Sequence, residues 1–265
     1  MTSRLASAIA DLGLDSLTIL DCHGHVGAWH NFRIPQYSAD SIVHSMDLLG
    51  IRTTFVSALS GMVDEATGDT CIRQAAREHP GRLAPVPIAN PNRPAATQRY
   101  LQTWAESGGA QMVKVHPTIH DYPVDGPNYR AVFELAADRW LVLSHTWGGS
   151  ALCHPGQLGQ VAREFPDTTF IAAHSGGNPA GCVAAVEAAQ AQPNVYLDLA
   201  GSLVYDGMLE WMVGRVGADR VLFGTDAAFL DPRPQFGRVA LARISVDDKR
   251  RILCENLARL LAAIQ

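Results

Sequence analysis

The sequence predicts an α/β fold, a single-domain (β/α)8 TIM barrel spanning residues 1–265, and three observations carry that reading. Eight short runs of apolar and β-branched residues stop at Gly, Pro, Asn or a polar residue, as buried strands do. The strand ends near residues 22 and 226 lie seven intervals apart, about 29 residues each, which is the size of one βα unit. A chain of 265 residues also suits one eight-stranded barrel, which commonly takes about 250.

The first strand, at 17–22, is Leu17-Thr18-Ile19-Leu20-Asp21-Cys22 and runs on into His23-Gly24-His25. The second and third are read at 51–58 and 82–89. Met112-Val113-Lys114-Val115-His116 lies within the fourth, at 110–116, and Leu141-Val142-Leu143-Ser144-His145 within the fifth, at 140–145. Phe170-Ile171-Ala172-Ala173-His174 closes the sixth, at 168–174. A seventh falls at 194–199, and Val221-Leu222-Phe223-Gly224-Thr225-Asp226 ends the eighth, at 219–226. Segments with helical spacing lie between them, among them 39–49, 130–138, 157–165 and 180–191. At the end, Ser245 with Asp248 resembles a capping box. Ile252, Leu253, Leu257, Leu260, Leu261 and Ile264 then form one apolar stripe, predicting a terminal helix packed outside the barrel.

Composition narrows the function. A formal net charge of −5, with no concentration of Arg, argues against a nucleic-acid surface and for a small-molecule partner. Five widely spaced cysteines without a CxxC pair indicate neither a disulfide framework nor a zinc ribbon, and fit the cytoplasm. Residues 1–14 lack a basic start followed by a long apolar stretch, and no run approaches the roughly 20 apolar residues that span a bilayer. The expectation is a soluble cytoplasmic protein with no membrane partner; a homo-oligomer is compatible with the sequence.

The strand ends carry the chemistry. His23 and His25 are two residues apart, a spacing that on a strand places both imidazoles on one face. By the same parity Asp21 points inward and Cys22 points outward as a small packing residue. His116, His145, His174 and Asp226 each end a later strand, on the face where barrel active sites are built. Neutral imidazoles with one carboxylate suit zinc, with iron or manganese as second choices. The two loops at 29–38 and 116–127, rich in Gly, Pro and polar residues, belong to the same face.

Read together, Asp21-Cys22-His23-Gly24-His25, Val113-Lys114-Val115-His116-Pro117, His145, Ala173-His174-Ser175-Gly176-Gly177, Leu222-Phe223-Gly224-Thr225-Asp226 and the segment from Ile252 to Leu260 resemble the amidohydrolase superfamily over nearly the whole chain. The resemblance is to the amidohydrolase-related branch that also contains aminocarboxymuconate-semialdehyde decarboxylase and small hydrolases. It implies that His23, His25, His145 and Asp226 hold one divalent metal ion, and that His174 polarises the substrate or shuttles a proton. Asp226, touching metal and water, is then the general base and later the acid.

Lys114 is one of only two lysines among 21 basic residues, and it lies inward beside His116. A buried ammonium is expensive without a partner. It is read as an unmodified cation that grips a substrate carboxylate or carbonyl; a carboxylated lysine bridging two metals is the alternative that the wider superfamily offers. Around the mouth, Trp29, His30, Arg33, Asn90, Asn92, His120, Tyr122, Trp147, Asn178 and Arg233 follow strand ends. Of these Arg33 and Trp147, with Lys114 and His116, are expected to bind substrate, and Arg33 and Arg233 suit an anionic group. His44 and His79 lie away from strand ends and are read as structural. The expected activity is metal-dependent hydrolysis of a C–N or C–O bond in an amide, lactam or lactone. Non-oxidative decarboxylation on the same metal is the second reading, and a metal-free lactonase or a non-catalytic binder the third.

Overall fold

The computed structural model describes residues 10, 12–13, 17–202 and 205–264, so most of residues 1–14, on which the expected lack of a leader rests, lies outside it. Among the described residues nine parallel strand segments form the ring: β1 Ile19–Val26, β2 Ile51–Ala58, β3 Leu83–Pro85, β4 Ile88–Ala89, β5 Met112–Val115, β6 Leu141–His145, β7 Thr169–Ala173, β8 Val195–Asp198 and β9 Val221–Leu222. β3 and β4 are two pieces of one stave. β3 pairs with β2 and β4 with β5, and the link between them stays hydrogen-bonded, Val86 N–H donating to Val56 O at 2.9 Å and Pro87 O accepting from Lys114 N–H at 2.8 Å. Proline has no N–H to give, which interrupts the ladder there without opening it. The ring closes where the segment after β9 meets β1: Cys22 N–H donates to Phe223 O at 2.9 Å and Asp226 N–H to His23 O at 2.8 Å. Eight parallel staves, each followed by helix, make the expected (β/α)8 barrel.

Helices alternate with the staves: α1 Ala39–Leu49, α2 Glu65–Glu78, α3 Pro94–Ser107, α4 Pro117–His120, α5 Pro127–Ala136, α6 Pro155–Glu164, α7 Pro179–Ala191, α8 Met208–Val216 and α9 Pro232–Leu241. Six of them begin on proline, whose fixed φ and missing donor suit the first helical position. Three mouth residues are tied into local hydrogen bonds. Asn178 caps α7, accepting from Gly181 N–H at 2.9 Å. Asp231 caps α9 and pairs with Arg233. Asn92 donates to His120 O at 2.6 Å. His79 pairs with Asp40 at 2.9 Å, in keeping with a structural role.

The terminal helix forms as the capping box and stripe predict. Ser245 Oγ accepts from Asp248 N–H at 3.0 Å, and α10 Val246–Arg250 runs through a π turn into α11 Asn256–Ala263. It packs outside the strand ring, against its amino-terminal end. There Leu257 and Leu260 join the interior cluster of Phe55, Met112, Leu141, Leu143, Ile171, Tyr196 and Leu222. Alternate strand residues such as Val113, Val142, Phe170, Leu197 and Val221 face the helices.

Each interior row turns from apolar to polar toward its carboxyl end. Met112 gives way to Lys114, Leu141 and Leu143 to His145, and Tyr196 to Asp198. That gradient positions the functional site, because the same alternation that fills the floor with oil lines the mouth with ligands.

One expectation about β1 is corrected. Its register with β2 slips between Asp21 and Gly24, a bulge that puts successive residues on one side. Cys22 therefore packs in the interior cluster, its thiol 3.7 Å from Asp198 Oδ1. Asp21 instead laces the neighbouring staves, accepting from Thr225 Oγ1 at 2.6 Å, Thr225 N–H at 3.0 Å and Thr54 Oγ1 at 3.2 Å. Burial pushes its carboxyl up to about 7, even with the Thr225 hydroxyl and the amides of His23 and Thr225 donating to it.

Candidate metal centre

His23, His25 and Asp226 meet at the closure of the ring, and a donor atom from each lies within 4.8 Å of the other two. Asp226 Oδ1 is 3.0 Å from His25 Nε2 and 3.7 Å from His23 Nε2. The three side chains are buried. Asp226 sits in the left-handed region at φ 62°, a conformation a non-glycine residue holds only when its surroundings impose it. On its other side His23 Nδ1 donates to Asp198 Oδ2 at 2.7 Å, which leaves the Nε2 lone pair facing Asp226. That lone pair now accepts from Lys114 Nζ at 3.0 Å.

The donor set fits a divalent ion. Metal binding needs neutral imidazoles and an ionised carboxylate, and the site supplies both. Burial holds His23 below its ordinary value and His116 and His145 far below, and brings His174 down to about 4. Burial alone would raise Asp226, but the His25 hydrogen bond and the surrounding imidazoles hold it well below the usual carboxylate range. Burial also lowers Lys114 to about 8, against the pull of Asp226 and Asp198.

Four of the other named residues form one group. His145, His174, His116 and Trp147 form the more open wall, each only partly buried. His174 Nδ1 donates to Ala200 O at 3.3 Å, so its neutral ring accepts at Nε2 from His145 Nδ1 at 3.1 Å. His145 is thus joined to the cluster through His174, with its own Nε2 unprotonated and available as a ligand atom. His116 stacks on His145 at 4.0 Å between centroids, and Trp147 lies parallel to the same ring at 6.2 Å. Ile119 N–H donates to His116 Nδ1 at 3.3 Å, so the neutral ring carries its proton on Nε2. Arg33 lies apart: it is exposed and lines an outer groove of about 540 Å³ with Phe32, His44 and Phe229.

His174 stands at φ 63° and Ser175 at φ 44°. Their turn is pinned by Thr146 Oγ1, which accepts from Gly176 N–H at 2.9 Å, and by Ser175 Oγ donating to Asp198 O at 2.7 Å.

Sequence reasoning missed Asp198 and Ser57. Asp198 ends β8 at the level where His145 ends β6, and the run Val195-Tyr196-Leu197-Asp198 carries that signal in its alternation. Ser57, whose Oγ is 3.0 Å from His25 Nδ1, has no comparable mark.

Among solved structures the chain resembles an uncharacterized TIM-barrel protein of Bordetella bronchiseptica, with a TM-score of 0.77 at 18% identity over 94% of this chain and 99% of that one. It resembles 2,6-dihydroxybenzoate decarboxylase from Rhizobium with a TM-score of 0.73 at 16% identity, over 93% of this chain and 99% of that one. A third likeness, with a TM-score of 0.72 at 12% identity over 94% of this chain and 97% of that one, is to 5-carboxyvanillate decarboxylase of Novosphingobium aromaticivorans, a structure holding manganese and a nitrobenzoic acid. No curated protein sequence matches. Residues 20–262 match the amidohydrolase family model, from the first strand through the terminal helix, and the chain belongs to the amidohydrolase family.

Proposed function

We propose that this protein is a metal-dependent hydrolase that opens a C–N or C–O bond of a small amide, lactam or lactone. The observation that carries the reading is the Asp226 carboxylate, kept ionised and set 3.0 Å and 3.7 Å from the two imidazoles of β1. A carboxylate so held is a proton acceptor beside the ligand nitrogens, which is what hydrolysis asks of it. His23, His25, His145 and Asp226 hold one divalent ion, zinc in the first place and manganese or iron on the same donors. When bound, such an ion acidifies a water and polarises the carbonyl under attack. Asp226 takes the proton and returns it to the leaving group. His174, on the partly exposed wall, keeps its Nδ1–H on Ala200 O and offers its Nε2 lone pair as a proton shuttle. His116 presents Nε2–H toward the substrate, and Trp147 offers an aromatic face.

Lys114 gives a direct check on the single-ion reading. Its ammonium and a bound ion draw on one lone pair of His23, so Lys114 competes with the metal and does not ligate it. Lys114→Met is expected to keep one metal per chain and to raise KM roughly tenfold, the loss of about 1.4 kcal/mol of binding to a substrate oxygen, with little change in kcat. Loss of a second metal on this substitution would mark a carboxylated, bridging lysine instead.

Elemental analysis with a hydrolysis screen over lactones and amides tests the proposal. Stripping the ion with a chelator is expected to abolish turnover and lower Tm. Restoring Mn2+ or Zn2+ at a hundredfold excess over Kd should return about 2.7 kcal/mol of stability. The decarboxylase structures that share the fold support a second reading. Carbon dioxide released from 2,6-dihydroxybenzoate or 5-carboxyvanillate, with no hydrolysis of any ester or amide, would replace the first reading by that one.

A further inference from the structure

We propose that Asp198 is a positioning residue that fixes the tautomer of His23, and so decides which of its nitrogens is offered to a metal ion. The proposal rests on reading His23 as a ligand, but its core concerns the protein with no ion added.

Asp198 is fully buried at the carboxyl end of β8, and each of its oxygens meets two donors. Oδ2 accepts from His23 Nδ1 at 2.7 Å and from His174 N–H at 3.2 Å. Oδ1 accepts from Ala200 N–H at 2.8 Å and lies 3.7 Å from the Cys22 thiol. An ionised carboxylate has about four acceptor positions and no donor, so these partners use its whole capacity. A neutral His23 beside it has one choice: Nδ1 carries the proton and Nε2 keeps the lone pair, directed at Lys114 and Asp226.

His25 is held differently. Its Nδ1 meets Ser57 Oγ at 3.0 Å, and a hydroxyl donates or accepts as required. The Nδ1 partner of His23 therefore permits one tautomer and that of His25 permits either. With no ion present it is the ionised Asp226 that keeps the His25 proton on Nε2. The space for the Asp198 carboxylate is reserved by Gly224, where a Cβ would overlap Asp198 Oδ1 and stand 3.0 Å from both Asp198 Cγ and His23 Cβ.

Asn is isosteric with Asp yet presents two N–H donors in place of one oxygen. In either orientation its NH2 opposes two donors, those of His23 and His174 or those of Ala200 and Cys22. Metal-free protein carrying 15N-labelled histidine is expected to show His23 neutral and protonated on Nδ1, a signature reduced or lost in Asp198→Asn. Mn2+ titrated against a competing chelator should bind Asp198→Asn roughly 10–100-fold more weakly, the usual effect of removing such a carboxylate. Gly224→Ala, which displaces the same oxygen, should weaken binding in the same direction.

A wild-type His23 protonated on Nε2 would overturn the proposal without recourse to any variant. So would an Asp198→Asn protein of reduced Tm that keeps wild-type Mn2+ affinity and the wild-type His23 signal, since the carboxylate would then serve the fold alone. A wild-type chain that binds no Mn2+ while showing the Nδ1–H signal would remove the metal reading and leave the tautomer assignment standing.

Discussion

Asp226→Asn is expected to keep the fold and much of the metal while losing turnover by roughly 10²–10⁴-fold, the range a positioned acid–base group supplies. The amide oxygen can still coordinate where the carboxylate stood, 3.0 Å from His25 Nε2, but it cannot take a proton. Because the amide brings no charge, the surrounding imidazoles lose the anion that draws them together, and some decrease in metal affinity accompanies the loss of kcat. Measuring kcat alongside metal content per chain separates the two effects. Turnover near wild type would remove Asp226 from proton transfer.

The largest stability effect is expected at Gly181→Ala. A Cβ at Gly181, in the first turn of α7, would overlap the carbonyl oxygen of Gly176 and stand 2.8 Å from Gly148 N. Both neighbours are backbone, so no side chain can swing aside. Gly148 N–H donates to Gly176 O at 2.7 Å, which leaves that carbonyl no room to retreat. The substitution forces α7 away from the turn that carries His174. Its cost is about 3 kcal/mol, the upper end for overpacking, or roughly 6–12 °C in Tm for a chain of this size. Gly214→Ala in α8 is the control, since a Cβ there meets nothing within 4 Å. It should leave Tm unchanged or raise it slightly. Equal Tm values for the two variants would show that the α7 contact is not tight.

The staves were legible because each buried strand is an apolar run stopped by a polar residue, and the site because those stopping residues are histidine and aspartate. The reading failed where one residue of slippage changed the phase. Alternation from His23 and His25 pointed Asp21 inward and Cys22 outward, and the slip in register after Asp21 reverses both. No residue type announces such a bulge. Asp198 stands at a strand end like the others, but its mark lies only in the alternation of the four residues from Val195 to Asp198. Arg33 illustrates a different limit: a loop residue's position depends on how the segment after β1 folds back over α1, and sequence spacing does not encode that path. Hydrogen-bond partners such as Ser57 become visible only when neighbouring staves are laid side by side.

The seam of the ring joins residues made at very different times. Cys22 bonds to Phe223, about 200 residues later, and at roughly 5–20 residues per second of synthesis the first strand waits on the order of 10–40 s for its last neighbour. During that interval β1 has one bare edge, the kind of exposed template on which other chains can pair. Leu257 and Leu260, which cover the apolar floor, arrive later still. A nascent chain therefore has a half-built, sticky sheet until its final helix clears the ribosome, and a message cut short before that helix would yield a product with an open floor.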